Sequence, residues 1–527
     1  NQRREIKVKI LDCTLRDGGY INDWNFSNQQ IKNIINSLDN SKIDIIECGY
    51  LNDNKGKKEN STLFDNVITV DNLIKSLNIK AQKVVMINFG DFNINNLKPK
   101  NKSCIDGIRL AFHKKDSKQA LKISKKIIQL GYKLYFQPMV TKSFTDYEFL
   151  NLIKKVNKLD IYSFYIVDSF GSMTLNEFQR YLIHANDTLN KKIALGYHSH
   201  NNMQLAFSNA INMCNTKLNR EIIIDASIYG IGRGAGNLNT ELIADYLNNE
   251  FNRKYKTLPL LEIIDEFLNS LMKKKPWGFS PAQYLSASFD CHPNYATYLI
   301  NKNTNHIVGV HKVLEKLSDK SKLSFNKKLI EELYIESLLE TKTEVKGTFE
   351  ISKNKKVILI ASGNSIKEYK KILKKKLKND NNIVIALNHK PSFKCDYYFF
   401  SNQKRFDEFN SLIELEKIII TSNILSKIDI STVLDVKPLV FIKDKFITNV
   451  AVVAINYLIS QQITKVQIAG LDGYKTDVDN YNYKETSIIT DNNELIEQNN
   501  ILHNALKNLS KKIDLVFLTP SIFKKDI

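Results

Sequence analysis

No segment of this chain approaches the roughly eighteen consecutive apolar residues that a membrane-spanning helix requires, so no transmembrane segment is expected. Cysteine is scarce: six residues, at 13, 48, 104, 214, 291 and 395, with no Cys-x-x-Cys pair. That excludes both a disulfide framework and a zinc knuckle. Cys13 and Cys48 fall in expected strands and read as small buried apolar side chains. Also missing is any motif that interleaves aromatic and basic residues, so the formal net charge of +20 does not point to nucleic acid. The excess is mostly lysine. Its densest run, residues 370–378, carries apolar residues at helical spacing and reads as the solvated face of a helix. Attraction of anionic small substrates, or of a membrane surface, is a simpler account of the charge. The opening Asn1-Gln2-Arg3-Arg4-Glu5 lacks the apolar core of a signal peptide and runs straight into a strand, so a cytoplasmic location is expected.

What is present is 527 residues, 43% apolar, enough for more than one sizeable core. The first part of the chain repeats one rhythm of short β-branched run, polar punctuation and helical stretch. The runs lie at 8–14, 43–49, 83–88, 107–112, 133–138, 163–168, 193–198 and 222–228. Between them fall helical patterns at 27–38, 116–130, 145–159, 175–188, 202–214 and 239–251. Eight strands alternating with helices predict an α/β fold, a (β/α)8 TIM barrel over residues 1–252, with an active site at the strand carboxyl ends. Polar residues collect there: Arg16-Asp17, Glu47, Arg109, His113, Gln137, Asp168-Ser169, His198 and His200, and the loop 230–237. Residues 253–345 read as a helical extension completing that site, with an oddly polar stretch around His292. Residues 346–527 begin a second, Rossmann-like α/β domain, with strands expected at 357–361, 383–387, 397–400, 417–421, 439–442, 465–469 and 514–518.

His198-Ser199-His200 places two imidazoles at spacing two, on one face of a strand. Asp17 ends another strand and offers a carboxylate beside Arg16. Asn237, in Gly232-Arg233-Gly234-Ala235-Gly236-Asn237, adds a carbonyl oxygen in a loop whose glycines let the backbone pass close to an ion. A divalent metal accepts such a set and keeps positions open for substrate. Satisfied polar histidines and an ordinary glycine turn are the alternative.

Thr14-Leu15-Arg16-Asp17-Gly18, Glu47 in Ile46-Glu47-Cys48-Gly49, Asp168-Ser169, His198-x-His200 and Gly234-x-Gly236-Asn237 together carry a resemblance. Residues 6–300 resemble the pyruvate-dependent aldolase and lyase superfamily that includes 4-hydroxy-2-oxovalerate aldolase, 3-hydroxy-3-methylglutaryl-CoA lyase and isopropylmalate synthase, with the first branch nearest. The resemblance implies a divalent ion (Mn²⁺ or Mg²⁺ expected, Co²⁺ or Zn²⁺ also compatible) that polarises a 2-oxo acid, with Arg16 stabilising the same enolate charge. It implies that Glu47 orients Arg16, a buried salt bridge without catalytic duty being the alternative. Ser169 and Arg109, with Gln137 as a further candidate, are expected at the substrate carboxylate. The chain also departs from the pattern. Where the aldolases have an acid/base histidine four residues after the arginine, this chain has Tyr20, a poor base but a fair proton donor. The condensing synthases carry Glu-Gln where this chain has Gly19-Tyr20, which disfavours an acetyl-CoA condensation. His292 is expected to take the acid/base role that a tyrosine after the barrel holds in the aldolases, the alternative being a cap on the helix starting at Pro293.

In the second domain, Ile360-Ala361-Ser362-Gly363-Asn364-Ser365 sets a glycine turn at a helix N-terminus, where backbone N–H groups can hold a phosphate. The domain is faintly similar to bacterial sialyltransferase-like domains. That similarity implies a nucleotide or nucleotide-sugar site near Gly363, Asn364, Ser365 and Asn388. A domain that only packs or mediates oligomerisation is the alternative. The expected activity is therefore a metal-dependent aldolase joining or splitting a 2-oxo acid and an aldehyde, in nucleotide-sugar or surface-glycan metabolism, as a homo-oligomer. A glycosyltransferase or nucleotide-sugar-binding protein acting through the second domain is the runner-up, and a non-catalytic scaffold the third reading.

Overall fold

In this computed structural model, residues 7–53, 59–302, 307–352, 354–443, 445–475, 480–481, 492–525 and 527 are described. The charged opening, residues 1–6, lies outside them. The chain forms two compact units: Asn1–Thr297 with Leu317–Phe325, and Tyr298–Lys316 with Asn326–Ile527. The segment expected as one helical extension is thus divided between them. Among the described residues no helix is long and apolar enough to cross a membrane.

The first unit is a closed parallel barrel. Its eight strands are β1 (Val8–Asp12), β2 (Ile45–Leu51), β3 (Gln82–Asn88), β4 (Gly107–Phe112), β5 (Lys133–Pro138), β6 (Ser163–Asp168), β7 (Ala194–Ser199) and β8 (Ile222–Ala226). Each pairs in parallel with the next, and β1 pairs with both β8 and β2 to close the ring. A two-residue strand, Leu63–Phe64, adds to β2 outside the predicted set. The helices start where local chemistry directs. Ser27, Thr145 and Thr174 each accept the backbone N–H three residues on, and Gln30, Glu148 and Glu177 answer by accepting the cap residue's own N–H. Such reciprocal caps satisfy donors that a helix start otherwise leaves open.

Side chains alternate faces along every strand. Ile46, Cys48, Ile108, Leu110, Leu195, Tyr197, Ile222 and Ile224 point outward into the main core under the helices. Leu11, Cys13, Ile45, Val84, Tyr135, Tyr165, Ala194 and Ile223 fill the barrel interior. The same inward phase, continued toward the carboxyl ends, carries Glu47, Arg109, His198 and Asp225. Gly196 is required within it, because a Cβ there would run into the Tyr165 ring.

The second unit holds a seven-stranded parallel sheet: β9 (Lys356–Ile360), β10 (Asn382–Leu387), β11 (Tyr397–Phe400), β12 (Ile418–Thr421), β13 (Thr432–Leu434), β14 (Lys465–Ala469) and β15 (Asp514–Phe517). Their spatial order is β13-β12-β11-β10-β9-β14-β15. Val357 and Leu359 enter one core and Ile358 and Ile360 the other, so both faces are covered and the strands read as continuous apolar runs. The expected strand at 439–442 is not part of this sheet. Pro438 lies within a 3-10 turn at Lys437–Leu439, and among the described residues Phe441–Ile442 pairs only with Lys445–Phe446. The sheet position goes instead to the short run Thr432–Leu434.

Candidate active site

At the carboxyl end of the barrel, Asp17, His198, His200 and Asn237 are all buried. Asp17 stands in a single helical turn directly after β1, and the histidines lie at the end of β7 and just beyond it. Asn237 is drawn back to them by the glycine loop, where a bridge pairs it with His200 and Gly236 adopts φ +76° with a Gly230 carbonyl packed against it. Asn237 Nδ2 donates to Asp17 Oδ2 at 2.7 Å, and His198 Nε2 lies 3.6 Å from the same oxygen. Burial opposes the Asp17 charge, but Arg16, His200 and His198 outweigh it and hold the carboxyl well below its usual range. Burial also lowers His200 to about 3, so its ring is neutral and presents a lone pair. Two buried atoms, His200 Nδ1 and Asn237 Oδ1, have no hydrogen-bond partner.

That set fits a divalent cation: a carboxylate, two imidazoles and an amide oxygen, with two atoms left unmatched where the protein rarely tolerates it. Cys13 also belongs to the cluster, since ligand atoms of Cys13, Asp17 and His198 lie within 4.8 Å of one another. Its thiol, however, donates to the Ala226 carbonyl at 3.2 Å, and burial pushes its pKa well above normal. Without a cation, Cys13 is therefore a protonated thiol beside the cluster, engaged by the backbone.

Around the cluster runs an ion network. Arg16 Nη1 lies 2.7 Å from Asp17 Oδ1, and its Nε donates to Glu47 Oε2 at 2.9 Å. Glu47 also meets Arg109 Nη1 at 2.7 Å. Arg109 and Gln137, expected at the substrate carboxylate, are placed otherwise. Arg109 is fully enclosed between Glu47 and Asp225, and the Gln137 amide oxygen accepts from its Nε at 2.9 Å. Arg109 is held by neighbours that share the inward phase of the strands, Glu47 and Asp225, and Gln137 is held by Arg109. Asp225, absent from the predicted set, links this network to the site. It accepts from Tyr165 Oη at 3.0 Å and lies 3.0 Å from His198 Nδ1. Burial raises its carboxyl, but Arg109 and His198 bring the net shift below the usual value. The signal was a lone acid in the run Ile222-Ile223-Ile224-Asp225-Ala226, in phase with inward Ile223.

The rim is formed by Tyr20, Ser169, Arg233 and His292. Tyr20 is 44% exposed, and desolvation, only partly offset by Arg233 and Arg16, raises its hydroxyl pKa. Ser169 Oγ accepts from Val140 N at 2.9 Å. His292 Nδ1 accepts from Asn294 N at 3.2 Å, the capping contact, while Nε2 lies 3.3 Å from Arg233 Nη1. Burial and Arg233 lower His292 to about 2, so it is neutral and no general base near pH 7. Arg233, also absent from the predicted set, shares its loop with Asn237 and lies over the Tyr20 ring at 5.7 Å.

In the second unit the glycine turn is already filled. Asp472 Oδ2 accepts from Ser365 N at 2.8 Å and Oδ1 accepts from Ser365 Oγ at 2.5 Å. Gly363 N donates to the Gly470 carbonyl, and Asn388 Oδ1 accepts from Ser401 N. The helix that follows spans only Ser365–Glu368. The expected phosphate position is thus occupied by the chain's own carboxylate, which would repel an anion.

Residues 108–265 match the HMGL-like family. The 4-hydroxy-2-oxovalerate aldolase of Bacillus cereus is 23% identical over 246 residues, 46% of this chain and 70% of that protein. The 4-hydroxy-2-oxovalerate aldolase 2 of Comamonas testosteroni is 25% identical over 246 residues, 45% of this chain and 67% of that protein. A crystal structure of the N-terminal domain of a candidate aldolase from Bacteroides vulgatus aligns with a TM-score of 0.49 and 28% identity, covering 57% of this chain and 99% of that one. These matches are confined to the barrel unit, where the chain is similar to HMGL-like proteins and to 4-hydroxy-2-oxovalerate aldolases. The resemblance of residues 346–527 to sialyltransferase-like domains finds no support among them.

Proposed function

We propose that the HMGL-like barrel is a divalent-metal-dependent aldolase of the 4-hydroxy-2-oxovalerate aldolase type, which forms the enolate of pyruvate or a related 2-oxo acid and adds it to, or releases it from, an aldehyde. The observation that carries this reading is the buried Asp17–His198–His200–Asn237 cluster, with its two unmatched atoms, beside a clamped Arg16. Those four residues would hold the ion, which supplies Lewis acidity toward the keto and carboxylate oxygens. Mn²⁺ or Mg²⁺ suits the carboxylate and amide oxygens best.

In the forward direction a C3 proton passes from the 2-oxo acid to water, a bond forms between C3 and the aldehyde carbon as its C=O π bond opens, and the aldehyde oxygen takes a proton that water restores to the donor. Arg16 is oriented for this. Asp17 and Glu47 fix two sides of its guanidinium, leaving buried Nη2 without a hydrogen-bond partner. A fixed cation next to the developing enolate oxygen stabilises it without reorganising. Asp225 keeps His198 in one tautomer and orientation, in the manner of carboxylates that support metal-binding histidines. Tyr20, protonated at neutral pH, would give a proton to the aldehyde oxygen, a role its exposure at the rim supports. Neutral His292 contributes a hydrogen bond and not a charge.

Metal analysis combined with pyruvate C3 hydrogen–deuterium exchange, followed by NMR, tests the reading without the second substrate. Metal-dependent exchange abolished by EDTA is expected. A metal-loaded protein that leaves the methyl protons untouched would sink it.

A further inference from the structure

Arg233 and His292 present donors to each other. Because His292 Nδ1 accepts the Asn294 N–H, the single proton of the neutral ring resides on Nε2. That Nε2–H lies 3.3 Å from Arg233 Nη1, itself a donor, so neither satisfies the other. Arg233 Nε is buried with no hydrogen-bond partner, and its Nη2 reaches only the Ser169 carbonyl, at 3.4 Å. Arg233 makes no salt bridge with a described residue. The nearby Asp17 is already engaged by Arg16 and Asn237. A half-buried guanidinium whose nearest anion is already engaged elsewhere is costly unless another anion completes it. Its direct contacts are with His292, the Ser169 carbonyl and the Tyr20 ring, while its charge also reaches Asp17 and His200.

We propose that Arg233 and the Nε2–H of His292 form an anion-recognition element for the second substrate, so that the acceptor aldehyde carries a carboxylate or phosphate group. This rests on the aldolase reading of the same site and adds the acceptor's class. The 2-oxo acid is held at the inner cluster. Arg233 lies over the ring of the tyrosine that would protonate the aldehyde oxygen, with His292 next to it. The two donors are spaced to share one anionic oxygen or to straddle two, a geometry an arginine fork suits better than a lysine.

Two sets of measurements test the assignment. In the first, inorganic phosphate and succinate are titrated calorimetrically into the metal-free full chain. Wild type is expected to bind at least one of them, and Arg233→Ala to weaken that binding about 10- to 100-fold. Phosphate alone would mark a phosphorylated aldehyde, succinate alone a carboxylated one. In the second, kcat/KM is compared for glyceraldehyde 3-phosphate against glyceraldehyde, and for succinic semialdehyde against butanal. The preference for the anionic member is expected to collapse in Arg233→Ala through KM, and to survive in part in Arg233→Lys, which also controls for folding. Metal-dependent pyruvate exchange in wild type with no anion preference, or equal anion binding by Arg233→Ala, overturns this assignment alone. Absence of exchange in metal-loaded wild type overturns the aldolase reading and this assignment with it.

Discussion

In the barrel, the polar residues at the carboxyl ends of the strands are left with unmatched atoms: Arg16 Nη2, His200 Nδ1, Asn237 Oδ1 and Arg233 Nε. At the equivalent ends of the second sheet the polar residues match one another: Ser365 with Asp472, Asn388 with Ser401, and Thr421 with Asn423. Among the described residues there, the Ser401 hydroxyl is the exception, a neutral group. Both sheets are parallel and buried on both faces, so strand ends are where each has polar groups to arrange. A sheet that satisfies its own turns gains stability there, whereas one that holds charges unmatched keeps them for a ligand. The difference teaches that glycine turns after strands in one chain need not share a role.

The largest effect that would break this contrast is loss of the cluster. Asp17→Asn or His198→Ala should cut metal-dependent pyruvate exchange by about a thousandfold, with bound metal falling in parallel. If either variant exchanged at the wild-type rate, the barrel ends would be as inert as those of the second sheet. Asp225→Asn comes next. It leaves buried Arg109 with one charged partner and loosens His198, so barrel stability should fall by about 3–5 kcal/mol in denaturant titrations. Exchange in the surviving fold should drop about 10- to 100-fold. Ser365→Ala sharpens the comparison from the other side. It should cost the second unit about 1–2 kcal/mol, measured by thermal unfolding, with exchange within about twofold of wild type. A collapse of exchange there would show that the second sheet serves the barrel chemistry.

The smallest effect is a pH dependence. Burial raises Asp12 to about 6, outweighing hydrogen bonds from Thr240 and Thr14. A folded pKa above the unfolded one means stability that is fully present below about pH 4 and lost as pH rises through about 6. Asp168, raised to about 6 by burial, acts in the same window. Asp17 and Asp225 are shifted downward, so their contributions are lost only in stronger acid. The barrel's thermal midpoint should therefore decline between pH 4 and 6, and Asp12→Asn should flatten part of that decline. An unchanged slope would show that Asp12 is ionised throughout.

Much of this architecture was legible in advance. All eight barrel strands follow the β-branched runs, and helices Leu175–Thr188 and Lys327–Leu339 coincide with the apolar periodicity. The paired histidines, Asp17 and Asn237 could be named because strand alternation and loop glycines leave a local trace. Arg109 shows the limit of that trace. Strand phase shows that a side chain points inward, but not at which height it stops. Asp472 lies 107 residues from Ser365, so nothing near the glycine turn revealed that its donors were taken.

By itself the sequence determined the elements, their alternation, and which residues face the barrel axis, because periodicity and capping are local. Only the tertiary structure decided which inward charges neutralise one another. Pairing Arg109 with Asp225 across 116 residues, and setting Arg233 against His292 across 59, depends on how the closed barrel and the chain after it bring distant segments together. Electrostatic matching over a few ångströms is a property of position in space, and spacing along the chain carries no record of it.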